Sequence, residues 1–349
     1  MKRALPAAAV LLAALVACSS DTEGPAPAAI TILTHDAFAV SDDVLQAFTD
    51  QTGIEVHVVA GGDAGTVVNQ AVLTKDDPQG DLLFGIDTTF LTAGLDADLF
   101  DAYEPPALAD VPDALDIDPE HRVTPIDRGD VCINYDKAFF DAPGAPPLPT
   151  SLADLTDPDY RSLLVVEDPA QSSPGLAFLA ATQSVFGDDG WQAYWEGLRA
   201  NDVAVADDWT DAYEGQFSGG GASSGDRPLV VSYASSPPAE VVYSDPPVDT
   251  PPTGVIDASC VRDIEYAGVL HGAANSAGAR QFLDFMLSEQ FQADMPLNMF
   301  VFPVRDGVEL PEVFTDFAAQ PDDVIEIDPF AFGAQRQQLV DEWTDTVLR

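Results

Sequence analysis

Positive charge is what this sequence has least of: 14 Lys and Arg stand against 59 Asp and Glu, a formal charge of −45. Such a chain repels nucleic acid and anionic lipid surfaces, and its long-range field favours a cationic ligand. Cysteines number only 3 and histidines 4, and none stand at the spacing of a structural zinc site. No histidine sits in a recognisable catalytic signature, which weighs against an extracellular hydrolase. Beyond residue 17 every apolar run is too short to span a bilayer. Disorder is excluded from the other side, since 46% of the residues are hydrophobic.

What is present begins with a leader. Residues 1–17 open with Lys2 and Arg3, run through an apolar stretch and end in Leu15-Val16-Ala17 before Cys18. That combination predicts a lipoprotein signal peptide, cleavage before Cys18 and acylation of its thiol. The mature chain would then be lipid-anchored at the outer face of the cell membrane, or periplasmic, with residues 18–28 as a flexible stalk rich in Ser, Pro and Ala. Losing Lys2 and Arg3 makes the charge more negative still. The remaining length suggests two lobes rather than one core. Cys132 and Cys260 are then the remaining thiols; their spacing allows one disulfide or two separate buried thiols.

From residue 29 the pattern alternates strand and helix: strands at 30–34, 54–60 and 81–85, helices at 44–53, from Gly65 to about Leu73, and through Leu95. This is an α/β chain. In open, mostly parallel sheets ligands bind off the carboxyl ends of strands. The tips there are His35-Asp36, Gly62-Asp63-Ala64 and Asp87-Thr88-Thr89, each with an aspartate. One such residue is usually an N-cap or turn former; three at equivalent tips argue for a site. The glycine loop 61–66 lacks the lysine of a phosphate-binding P-loop.

Residues 126–137 organise the rest. Val131, Ile133 and Tyr135 recur with period two, as in a strand, yet Asp127, Arg128 and Asp130 crowd its entry. A crossing between two lobes that lines a cleft reconciles the charges with the strand. Further on, a strand at 163–167 leads into Ser172 and Ser173, whose hydroxyls at a helix start suit an anion. Trp209 and Tyr213 lie four apart, on one helical face. A strand at 229–233 ends in Tyr233, residues 244–254 read as an irregular proline-rich loop, and a strand is expected at 264–271. A helix at 276–289, a short apolar crossing at 299–304 and a closing helix at 335–348 follow.

A family resemblance rests on Thr34-His35-Asp36-Ala37-Phe38, Gly85-Ile86-Asp87, Asp127-Arg128-Gly129-Asp130 with Tyr135-Asp136-Lys137, and Asp168-Pro169 with Ser172-Ser173-Pro174-Gly175-Leu176. It continues through Trp209-Thr210-Asp211-Ala212-Tyr213, Ser232-Tyr233-Ala234-Ser235-Ser236-Pro237, Phe302-Pro303-Val304 and Ala334-Gln335-Arg336-Gln337. In this order, over residues 29–349, the chain resembles the thiamine-binding proteins of ABC importers, within the periplasmic-binding-protein superfamily. The resemblance implies a type II fold, with lobe 1 formed by 29–127 and 262–300 and lobe 2 by 128–261 and 301–349. It also implies thiamine or its phosphate esters as transported ligand, permease and ATPase subunits as partners, and no catalysis or cofactor. Asp63, Ala64, Ser172, Trp209, Tyr233 and Phe300 stand where family members touch the ligand. His35 replaces a tyrosine of the enteric pattern, and Phe300 a tryptophan. The resemblance also implies that the strand after Cys260 returns beside the crossing segment, making Cys132 and Cys260 disulfide partners.

Thiamine is a flat pyrimidine joined to a permanently cationic thiazolium, so its site needs aromatic faces and a carboxylate. Tyr233, Trp209 and Phe300 offer faces; Asp130, first, then Asp63, Asp36 and Asp87 offer the charge. The leading alternative is a polyamine or other small organic cation, which would need carboxylates spread along the cleft. A ferric-ion binder should show adjacent tyrosines, and the chain has no Tyr-Tyr pair.

Overall fold

The computed structural model describes residues 29–221 and 223–349; the leader, Cys18 and the stalk lie outside the described residues. Among the described residues nine strands form one hydrogen-bonded sheet: β1 Ala29–Thr34, β2 Glu55–Ala60, β3 Leu82–Asp87, β4 Thr124–Asp136, β5 Leu164–Glu167, β6 Ala204–Ala206, β7 Leu229–Tyr233, β8 Thr253–Val269 and β9 Phe302–Pro303. Their order is β2-β1-β3-β8-β4-β7-β5-β6, with β9 on β4. Pairing is parallel at both ends, among β1, β2 and β3 and among β5, β6 and β7. It is antiparallel in the middle, where β8 and β4 meet each other and their flanking strands.

Local sequence explains most helices. Ser41 accepts the Val44 N–H at the start of Asp42–Thr52, and Gly53 ends that helix in the left-handed conformation, φ 72°. Asp63 caps Ala64–Leu73 by accepting the Ala64 N–H at 2.7 Å. One core packs Phe48, Phe282, Phe285 and Phe291 behind β1 and β3. Another packs Phe178, Trp195 and Trp343 beyond β4. Among the described residues no helix is long and apolar enough to cross a membrane.

Three expectations are corrected. β4, at 13 residues, closely matches the 126–137 stretch read as a strand, whereas β8 runs 17 residues where only 264–271 is expected. β8 occupies Thr253–Val269 because the ladder with β4 overrides the breaks made by Asp257, Ser259, Arg262 and Asp263. A separate helix, Glu289–Asn298, follows Ser276–Met286; Ser288 caps it by accepting the Phe291 N–H, and Pro296 inside it hides the pattern. Residues 211–216 form a π-helical turn rather than an α-helix.

The two long strands run side by side through the middle of the sheet, and they are stapled. Cys132 of β4 and Cys260 of β8 form a disulfide, with both residues buried.

Candidate functional site

A cavity of about 130 Å³ opens where β4 and β8 pass between the two halves of the sheet. Its floor is set by ladder register. Asp127 pairs opposite Glu265, and Gly129 opposite Asp263, so three carboxylates share one face of the crossing strands. Tyr233 lies on Gly129, where a Cβ would stand 3.0 Å from the ring. A side chain at that position would displace the tyrosine.

Above the floor, rings come from separate elements. Trp209 and Tyr213 stack at 5.1 Å and 15°, and the Trp209 Nε1–H donates to Ser232 Oγ at 2.9 Å. Phe300 follows the Glu289–Asn298 helix with φ 57°, a left-handed conformation that is costly for a bulky residue. Its ring meets Tyr243 at 5.5 Å. His35 Nε2 stands 3.1 Å from Glu265 Oε1, and Asp36, Asp63, Ala64 and Asp208 complete the rim. No Lys or Arg lines the cavity.

Of the floor carboxyls, Asp263 accepts the Thr88 N–H and Glu265 stands beside His35, whereas Asp127 is buried without compensation. Neither oxygen of Asp127 meets a hydrogen-bond donor. Burial pushes the Asp127 carboxyl well above the usual carboxylate range, and the nearby Glu265 and Asp263 push it further. Asp263 is raised well above that range by burial, then by Asp87 and Glu265. Burial also raises Asp63, against bonds from Ala64, Ser172 and Trp209. Burial pulls the His35 imidazole down, but Glu265 with Asp63 and Asp36 outweighs it and holds it above its ordinary value. Burial and mutual repulsion therefore disfavour negative charge on Asp127 and Asp263, a cost that a nearby positive charge would relieve.

Nine expected residues meet at the cavity: His35, Asp36, Asp63, Ala64, Ser173, Trp209, Tyr213, Tyr233 and Phe300. Three do not line it. Asp130 points to the opposite face of β4, where its Oδ1 accepts from Arg262 Nε at 2.5 Å. Asp87 is fully buried behind the floor and accepts from Thr89 N–H and Oγ–H, Phe90 N–H and Ser173 Oγ–H, so it fixes a turn. Ser172 is buried at the start of Ser173–Phe186 beside Asp63. With Ser173 engaged by Asp87 and Ser172 beside Asp63, the two hydroxyls do not form an open anion site.

Sequence reading missed Asp263 and Glu265 and did not place Asp127 in the site. Their signal is acid at every second position of a strand, Asp263 and Glu265 around Ile264, which is hidden when the strand is started at Ile264. It also passed over Gly221-Ala222-Ser223-Ser224-Gly225, which spells Gly-x-Ser-x-Gly. The described residues 223–225 of that run precede β7 without entering a strand or helix, and Ser223 Oγ accepts the Gly225 N–H. Among the described residues no group of three or more His, Cys, Asp or Glu could hold a metal ion.

Known proteins share this architecture. The family model for bacterial extracellular solute-binding proteins matches residues 77–320. The thiamine-binding periplasmic protein of Escherichia coli (strain K12) is 30% identical over 325 residues, 92% of this chain and 94% of that protein. A solved structure of a periplasmic thiamin binding protein superposes with TM-score 0.78 at 26% identity, covering 92% of this chain and 96% of that one. Iron-bound HitA from Pseudomonas aeruginosa superposes with TM-score 0.74 at 20% identity, over 92% and 99%, and shows the shared two-lobed fold.

Proposed function

Since the chain belongs to the bacterial extracellular solute-binding proteins, which bind solutes rather than transform them, we propose that its solute is thiamine. The observation that carries this reading is a cavity with aromatic walls, a floor of Asp127, Asp263 and Glu265, and no basic side chain except His35. A flat ligand with a fixed positive charge satisfies both: stacking on a ring contributes about 0.5–2 kcal/mol, and the cation offsets the repulsion among the floor carboxylates. The relatives named for thiamine support the same ligand. Asp127, Asp263 and Glu265 gather at the floor and Asp36, Asp63 and Asp208 at the rim, so the aromatic walls and the named relatives, rather than the layout of the acids, favour thiamine over a polyamine.

Two lobes, 29–127 with 262–300 and 128–261 with 301–349, close over the ligand. Cleavage before Cys18 and its acylation tether the protein at the membrane, from where it delivers thiamine to an ABC permease and its ATPase. Cys18→Ser should release the chain from the membrane fraction without changing ligand affinity.

Calorimetric titration with thiamine, its monophosphate, its pyrophosphate and spermidine tests the ligand. Thiamine should bind tightest, because phosphate groups would face carboxylates and a Ser173 hydroxyl already given to Asp87. Spermidine binding as tightly as thiamine, or thiamine failing to bind, would overturn the assignment.

A further inference from the structure

The crossing strands carry opposite charge on their other face. Arg128 and Arg262 there, with Arg305, line a groove of about 380 Å³ against Phe302, Pro303 and Gln320. Three arginines in one groove stand out in a chain with 14 basic residues in all. Arg262 gives its Nε–H to Asp130, and Arg305 binds Asp110 through Nη2 at 2.8 Å and the Leu287 carbonyl through Nη1 at 2.9 Å. Among the described residues Arg128 has no carboxylate at ion-pair distance; its guanidinium lies 4.9 Å from the centre of the Phe302 ring. Its hydrogen-bonding edge is thus held in place and unclaimed.

Register brings the two strand arginines together. Arg128 stands opposite Ile264 and Asp130 opposite Arg262, so Arg128 and Arg262 are diagonal neighbours on one face. Arg262 keeps both terminal nitrogens for another partner once Asp130 has taken Nε. The acids near the groove are Asp130, whose Oδ1 is taken by Arg262 while its Oδ2 is buried without a partner and its charge also acts on Arg128, Asp110, paired with Arg305, and Asp306, exposed at the rim.

We propose that this groove is a second binding site, for a small oxyanion with several acceptor oxygens, held between Arg128 and Arg262. It is separate from the cleft and does not depend on which solute the cleft takes. Planar guanidinium forks suit phosphate and carboxylate oxygens, and two forks from two strands favour a multivalent anion over chloride.

The test is calorimetric titration of the mature chain with inorganic phosphate and with citrate, chloride being the control. One saturable site is expected for phosphate, citrate or both, weakened about tenfold or more by Arg128→Gln and less by Arg128→Lys. The two titrants separate a phosphate site from a carboxylate site. Thermal melts of each variant, and its cleft ligand titration, should match the unmodified chain. Absence of saturable binding by both anions, or equal binding by Arg128→Gln, would overturn the proposal.

Discussion

Asp127 and Glu265 face each other across a ladder, a placement that normally destabilises a sheet when both are charged. A cation between them would turn the repulsion into attraction. On the thiamine reading, Asp127→Asn should weaken thiamine binding by about 2 kcal/mol or more, some 30-fold in Kd. Asp130→Asn should leave it within about twofold, because Asp130 serves Arg262 behind the floor. Titration of both variants checks this, and equal losses would show that the floor is not where the charge is met. The aromatic half of the site was legible in sequence, as Trp209, Tyr213 and Tyr233 stand out in their segments. The acidic half was not: whether Asp127 or Asp130 faces the cleft depends on which side of the pleat points inward, and only the fold decides that.

At the scale of elements, the start of the helix Ala64–Leu73 presses against the other half of the sheet. Gly65 N–H donates to the Gln171 carbonyl at 3.0 Å, and a Cβ on Gly65 would lie 2.5 Å from that oxygen and 2.5 Å from the Phe90 ring. Backbone oxygen cannot yield as a flexible side chain can. Gly65→Ala should hold the two halves apart and weaken ligand binding by about tenfold or more, read by titration. The staple between β4 and β8 is the second element-scale feature. Reducing it, or Cys132→Ala with Cys260→Ala, should cost about 2–5 kcal/mol and lower Tm in a reductant-dependent melt. Short strands with apolar repeats, such as β1 and β7, were readable in the sequence. The long β8 was not, because its middle is polar and its strand character comes from pairing with β4.

For the whole molecule, the sum of these buried acids sets a pH profile. Asp127, Asp263 and Glu167 are all held well above their usual range by burial first. The folded chain therefore keeps protons that the unfolded chain gives up near pH 4. Their cost to folding is absent below that pH and grows as pH rises towards the folded values. His35 acts in the same direction, since its raised value adds stability that is lost as pH climbs through it. Without ligand, Tm should fall between about pH 5 and 8, and thiamine should reduce the fall by taking the place of the protons. Binding should release protons, measurable as a buffer-dependent calorimetric heat. A ligand-free Tm that rises across this interval would refute the assignment of protons to the floor.

The alternation of acid and arginine along β4 and β8 also bears on how faithfully the chain can assemble. Asp127 and Glu265 face the cleft, Arg128 and Arg262 the opposite groove. Were one strand to slide by a single residue during folding, an arginine would enter the acidic floor and an aspartate the arginine groove, with every apolar neighbour reversed as well. The charges that prepare the site for its solute thus also act as a key, rejecting all but one alignment of the two longest strands before the disulfide between them closes.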